Sequence, residues 1–438
     1  MAEQKTAPKG TRSVKSMEAA RTASAYQKAW FREIQERVRG GEPFAYLNAD
    51  VPMEILRAMD IPFVVNQWWA AICSAKQMAP QYLSCLREQG FRDDLCSYCV
   101  MALAGSFMPN PEEGPWGGLP KPDFAITRLT CDCQGKIFEM LAKQYSGKYY
   151  PMENTTPLIA PDRWWELTAD RWEELYSKRR LDMAEEELKR LIGFLENETG
   201  RMFDEKKLIE VMKLINEQEG WYKKARDLIA ETVPAPVTIA DTVNAVMQAQ
   251  WQRGTRWAAD HARGFYEEIY RRVEEGRPAV PNEKIRLMWI GRGLWFNLGF
   301  YQHFEQKYGA AFVWSMYLAM AADAYIRNHV EESPLRALAA RYIGMEDFLH
   351  MPPWNAQWFL SEARHNKIDA VVYLVPENCM QSVEGSHFII RTLEDAGIPV
   401  LVLRADPVDA RKWNEQSMVG AMEEFLETRV IGTSGGSV

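Results

Sequence analysis

No stretch of this 438-residue chain approaches the roughly 18 consecutive apolar side chains that a membrane-crossing helix needs, so no membrane partner is expected. Residues 1–27 are polar and mixed in charge and lack the apolar core of an export signal, which leads to the expectation of a cytoplasmic protein. A surplus of basic charge is also missing. The net charge is −8 and the pI about 5.5, so no nucleic-acid partner is expected, because tracking phosphates calls for a basic face. There is no P-loop, so the chain is not expected to hydrolyse ATP itself. Cysteine is sparse and odd in number. Seven thiols without an export signal make a disulfide framework a poor expectation and leave metal ligation or buried free thiols.

What is present is ordinary globular material, 47% hydrophobic and 26% charged, in a chain long enough for two or three domains. The 16 tryptophans and 21 methionines suit a large core or an apolar, aromatic-rich cavity. Strand-like segments at 43–47, 61–65 and 124–127 are separated by helical ones at 52–58 and 68–89. A long, charged, helical stretch follows. A second series of strands then falls at 285–290, 311–316, 370–375 and 400–403, the last two with a helix at 388–396 between them. The expected fold is α/β, with two parallel-sheet domains of the Rossmann or flavodoxin-like kind. The expected divisions are an N-terminal helical segment over 1–40, a first α/β domain over 41–160, a helical connector over 161–280 and a second α/β domain over 281–438. Ligands of such sheets sit beyond the carboxyl ends of strands, which places the expected site between the two halves.

The cysteines carry the chemical signal. Cys96 and Cys99 share one loop, Cys131 and Cys133 a second, and Cys379 follows a strand far downstream. Three thiolates from three loops can hold an iron–sulfur cluster and leave one iron open. The spacing equally permits a four-thiolate zinc site from Cys96, Cys99, Cys131 and Cys133, whereas Cys73 and Cys85 sit in an amphipathic helix where a buried thiol acts as a small hydrophobe.

Several stretches narrow these options. Asp50-Val-Pro-Met-Glu-Ile-Leu-Arg-Ala-Met59, Ala70-Ala-Ile-Cys-Ser-Ala-Lys76, Gly90-Phe-Arg-Asp-Asp-Leu-Cys-Ser-Tyr98, Thr130-Cys-Asp132 and Lys136-Ile-Phe-Glu139 resemble the 2-hydroxyacyl-CoA dehydratase and benzoyl-CoA reductase family. Asn378-Cys379, Gly397-Ile-Pro-Val-Leu401, Asp406 and Arg411-Lys-Trp413 extend the resemblance through the second half. The resemblance implies one [4Fe-4S] cluster per subunit, held here by Cys96, Cys131 and Cys379, with Cys99 and Cys133 as alternates or additional ligands. It also implies a homologous cluster-binding sister subunit, iron–sulfur activator subunits that hydrolyse ATP, and reduced ferredoxin as electron donor.

Family members often carry Glu-Asn-His ahead of the Ala-Ala helix, where this sequence has Gln67-Trp68-Trp69. An amide and two indoles suit a flat aromatic acyl group better than a hydroxyl, which puts first an oxidoreductase, a benzoyl-CoA reductase subunit acting on an aryl-CoA substrate in anaerobic aromatic degradation. A 2-hydroxyacyl-CoA dehydratase subunit is the alternative. Gln67, Trp68 and Trp69 are then candidate substrate contacts, and His303, His350 and His387 are candidate proton donors by residue type alone. Arg292 and Arg404, near strand ends, are candidates for the phosphates of CoA.

Overall fold

The computed structural model describes residues 12–92, 94–155, 159–323, 327–379 and 385–432, so the ends of the expected first and last divisions lie outside the described residues. It opens with helix α1 (Glu18–Arg39). Strands β1 (Ala45–Leu47), β2 (Phe63–Val65), β3 (Phe124–Arg128) and β4 (Lys148–Met152) form one parallel sheet in the order β2-β1-β3-β4. Strands β5 (Ile285–Ile290), β6 (Ala310–Ser315), β7 (Ala370–Val375) and β8 (Val400–Arg404) form a second parallel sheet in the order β6-β5-β7-β8. Numbered within its own sheet, each has the order 2-1-3-4 of a flavodoxin-like sheet. Strand order then reverses between the first and third strands, and that is where such sheets bind ligands. The fold is therefore α/β with two parallel sheets, as expected.

The central strands are mostly apolar because helices cover both faces of a parallel sheet, with Arg286 of β5 and Thr127 and Arg128 of β3 as buried exceptions. β5, β6 and β7 are buried at every residue. At the end of β5 the chain must pass very close to β7. Gly291 has φ 113°, and a Cβ there would lie 2.6 Å from the Leu374 carbonyl oxygen, so only glycine fits.

Helix α2 (Met53–Ala58) joins β1 to β2. The expected single helix over 68–89 is two: α3 (Asn66–Ala75) and α4 (Ala79–Glu88). Gln77 adopts φ 56°, and Pro80 stands in the first turn of α4, where its missing N–H costs nothing. Helices α5 (Ser97–Gly105) and α6 (Asp132–Tyr145) follow the two cysteine loops. β4 was not expected; its short Lys-Tyr-Tyr-Pro-Met run alternates poorly and sits at a sheet edge.

The helical stretch comprises α7 (Trp172–Leu175), α8 (Lys178–Thr199), α9 (Glu205–Glu231), α10 (Ile239–Trp251) and α11 (Arg256–Glu274). The second sheet carries α12 (Glu305–Tyr308), α13 (Met316–Asp323), α14 (Pro334–His350), α15 (Pro352–His365), α16 (Ser386–Asp395) and α17 (Glu415–Phe425). α14 and α15 were not read from the sequence. No helix among the described residues is long and apolar enough to cross a membrane.

Candidate active site

Five cysteines meet where α5 and α6 begin. Cys96 is the N-cap of α5 and Cys131 the N-cap of α6; Cys99 and Cys133 lie in the first turns of the same helices. Helix N-termini present free amides and a partial positive charge, which favour thiolates. Cys379 comes in from the loop after β7. Cys131 lies beyond the end of β3, as expected, but the Cys96 loop follows a helix, α4, and not a strand.

The thiols are electrostatically linked. Hydrogen bonds from Cys379 and Cys99, with the Arg292 charge nearby, hold Cys96 well below the usual thiol range against the effect of burial. Contacts with Cys131, Cys133 and Cys96, together with burial, push the Cys99 thiol up. Those contacts in turn lower Cys131 and Cys133, helped by the Gln134 and Cys96 backbone amides respectively. Among the described residues no three His, Cys, Asp or Glu side chains close around a point that would hold a single ion. The donor set is instead spread over three loops. That spread suits a polynuclear iron–sulfur group, which distributes its thiolate ligands over separate irons, better than the tetrahedral zinc knuckle.

Arg292 lies against this set. Its Nη1 is 3.6 Å from Cys379 Sγ, and its guanidinium stands 5.3 Å from the centre of the Tyr98 ring. Burial disfavours its charge, but the neighbouring Cys379 and Cys96 outweigh burial and raise its pKa. Its guanidinium therefore faces sulfur, and Arg292, expected at CoA phosphates, also lines the cavity beside the thiols. Arg404 is exposed at the end of β8.

The loops are tied across the two sheets. Ser97 Oγ donates to Asp406 Oδ1, which also accepts from the amides of Val408 and Asp409, both at 2.8 Å. Asn378 Nδ2 reaches the Leu95 carbonyl at 3.4 Å and Asp406 Oδ2 at 3.5 Å. On the inner side, Asn66 Nδ2 donates to the Tyr98 carbonyl at 3.1 Å, and Trp295 Nε1 donates to the Tyr98 hydroxyl at 2.8 Å.

Beside the thiols lies a cavity of about 170 Å³ at the carboxyl ends of β1, β5 and β7, lined by residues of both sheets. One end is polar, with Asp50, Gln67, Gln134 and His350. Much of the remaining wall is aromatic and methionine-rich, with Met247 and Trp251 from α10, Trp295, Met316, Tyr317 and Phe359, and it also carries Arg292 and Asn355. The helical stretch thus supplies part of the wall, where only a connector was expected. Asp50 Oδ2 accepts from Thr130 Oγ1 at 2.8 Å and from Asn48 Nδ2 at 3.1 Å, and lies 3.5 Å from His350 Nε2. Burial pushes the Asp50 carboxyl up, but His350, Thr130 and Arg128 outweigh it and hold the group below its usual value.

Of the residues named from sequence, Gln67 lines the cavity and accepts the Ala49 amide at 2.8 Å. Trp68 and Trp69 do not. Both are 1% exposed and pack against Phe31 of α1, at ring separations of 5.1 and 5.7 Å. His350 lines the cavity, while His303 and His387 are exposed. Cys73 is fully buried in α3, its thiol pushed up by burial, and Cys85 Sγ sits 3.5 Å from Met108 Sδ. Asp50 was missed as a site residue, although it stands at the end of β1, where strand-end ligand binding could have marked it.

The profile of the family described as 2-hydroxyglutaryl-CoA dehydratase, D-component, matches residues 48–429, which hold every strand of the two sheets except β1 and all five clustered cysteines. The chain belongs to this family. Among similar curated proteins, the (R)-2-hydroxyisocaproyl-CoA dehydratase alpha subunit of Clostridioides difficile is 24% identical over 395 residues, covering 88% of this chain and 91% of that one. The (R)-phenyllactyl-CoA dehydratase alpha subunit of Clostridium sporogenes is 25% identical over 385 residues, 87% of this chain and 88% of that one. Both similar proteins are subunits of dehydratases of CoA thioesters, so the dehydratase family carries the recognition that the motifs suggested.

Proposed function

We propose that this chain is a cluster-holding, substrate-facing subunit of a 2-hydroxyacyl-CoA dehydratase whose substrate has a bulky branched or aromatic acyl chain. The observation that carries the reading is the two-ended cavity beside the clustered thiols. Its polar end offers a carboxylate, an imidazole and two amides to a hydroxyl and a thioester carbonyl. Its aromatic wall accepts an apolar side chain, and the two relatives are named for substrates of that kind. Cys96, Cys131 and Cys379 are the proposed ligands of a [4Fe-4S] cluster, with Cys99 and Cys133 as alternates. When bound, such a cluster supplies single low-potential electrons to the thioester. The wall excludes water from the acyl group, and Gln67 and Gln134 orient it. The partners proposed with it are a homologous sister subunit and an ATP-hydrolysing iron–sulfur activator, in the cytoplasm.

Aryl-CoA reduction, the reading put first from sequence, remains a second proposal because the wall is rich in rings. Two of the rings that suggested it, Trp68 and Trp69, face the core instead, and both relatives are dehydratases. The test is to purify the chain with its partner subunits under exclusion of oxygen. Iron and acid-labile sulfide are then counted, and 2-hydroxyacyl-CoA or benzoyl-CoA is supplied with reductant and ATP. Replacing Cys96, Cys131 or Cys379 by serine is expected to remove iron and sulfide, whereas Cys73→Ser leaves both. Turnover of benzoyl-CoA alone would replace the dehydratase reading with the reductase one.

A further inference from the structure

We infer that His350 is the proton-transfer group of this cavity, accepting a proton from the acyl chain and handing it to the hydroxyl that departs. The inference rests on the dehydratase reading above. His350 is the last residue of α14, and its side chain is 17% exposed at the polar end of the cavity. Its Nε2 lies at ion-pair distance from Asp50 Oδ2 and makes no shorter polar contact. The nearest candidate, Asp50 Oδ2 at 3.5 Å, already accepts from Thr130 and Asn48. A buried ring nitrogen held by a single long contact is incompletely satisfied, and such groups are met where a ligand completes the set.

The surroundings suit a ring that takes up and releases a proton. The Asp50 carboxylate, 3.5 Å from Nε2, balances the charge the ring acquires. The carboxyl end of α14 adds a partial negative charge. One turn back on α14, Glu346 lies 3.1 Å from Arg128, and burial pushes its carboxyl up to about 7. The other two candidate histidines are exposed away from the cavity.

The proton balance is simple. The bond from carbon 3 to hydrogen breaks, and the proton goes to Nε2. The bond from carbon 2 to oxygen breaks, and its electron pair leaves with hydroxide. Nε2 then protonates hydroxide to water, and a carbon–carbon double bond remains. The single electron that loosens the carbon–oxygen bond comes from the activator proposed above and is regained, so the thioester undergoes no net oxidation or reduction.

The experiment uses the complete complex, prepared without oxygen, with (R)-2-hydroxyisocaproyl-CoA and (R)-phenyllactyl-CoA as probes. For His350→Ala and His350→Gln, kcat is expected to fall about 10²–10⁴-fold, the usual worth of a positioned acid–base group, with KM little changed and iron and sulfide per chain retained. Added imidazole is expected to restore part of the kcat of His350→Ala, a readout that a merely structural histidine would not give. A His350→Ala complex with wild-type kcat, or one whose lost kcat imidazole does not restore, overturns the inference while the dehydratase reading stands. A wild-type complex that turns over neither hydroxyacyl thioester overturns both.

Discussion

Arg292 sets a positive charge among thiols that are otherwise ready to carry negative charge. Its Nη1 is 3.6 Å from Cys379 Sγ, and Cys379 and Cys96 are the leading groups that raise its pKa. A cation and a hydrogen bond to a ligand sulfur stabilise the more negative, reduced state of an iron–sulfur group. Arg292→Gln is therefore expected to move the midpoint potential of the proposed cluster to more negative values. A tenfold change in a one-electron equilibrium corresponds to about 59 mV, which sets the scale. Arg292→Lys, which keeps the charge, is expected to shift it less. A potential titration followed by electron paramagnetic resonance decides this without reference to turnover. The cysteines themselves were legible because residue type alone announces thiolate chemistry. Asp50 and His350 were only half legible. His350 was one of three histidines picked by type, and Asp50 was marked only by its place just after β1. Their meeting depends on a β1 loop and a helix end 300 residues apart in the chain, and pairing at that range leaves no periodicity to read.

At the scale of elements, the site depends on α5 and the β8 loop holding each other. The Ser97 hydroxyl and the Val408 and Asp409 amides all converge on Asp406, and Asn378 joins them from beside Cys379. One buried carboxylate thus fixes two thiol-bearing loops. Asp406→Asn keeps the size but loses the charge-assisted acceptor. It is expected to cost about 1–3 kcal/mol of stability, the range for an imperfectly satisfied buried polar group. The measurements are a denaturant midpoint and the iron content after mild oxidation; unchanged values in both would mean that the loops are held by other contacts. Every strand but β4 was legible from its apolar run, and strand ends were misplaced by at most two positions. The α3–α4 break was not, because Lys76-Gln-Met78 carries no glycine, and the turn is made by Gln77 at φ 56°. α14 and α15 escaped notice because α14 is buried on nearly every side, which erases the one-sided pattern that marks a surface helix.

Across the whole molecule, tryptophan serves two purposes that composition cannot separate. Trp68 meets Trp30 edge-on at 4.9 Å, lies 5.1 Å from Phe31 and 6.0 Å from Trp116, and its Nε1 donates to Gln27 at 3.3 Å. Gln27 also accepts from Gln248 of α10 at 2.6 Å. This cluster clasps α1 to α3 and α10, so Trp68 belongs to the core that joins the N-terminal helix to the rest. Phe359 of α15 instead lines the cavity. Trp68→Ala is expected to cost about 3–5 kcal/mol, as removal of a buried tryptophan does, and to leave KM for the acyl-CoA unchanged in the protein that remains folded. Phe359→Ala opens the cavity wall and is expected to raise KM for phenyllactyl-CoA more than for a short hydroxyacyl-CoA, because it removes ring contact made only by the longer chain. Thermal unfolding and a two-substrate KM comparison on both variants separate the roles. A Trp68 variant of normal stability with a raised KM would return the indole to the substrate, and with it the argument for an aryl acyl group that the sequence first suggested.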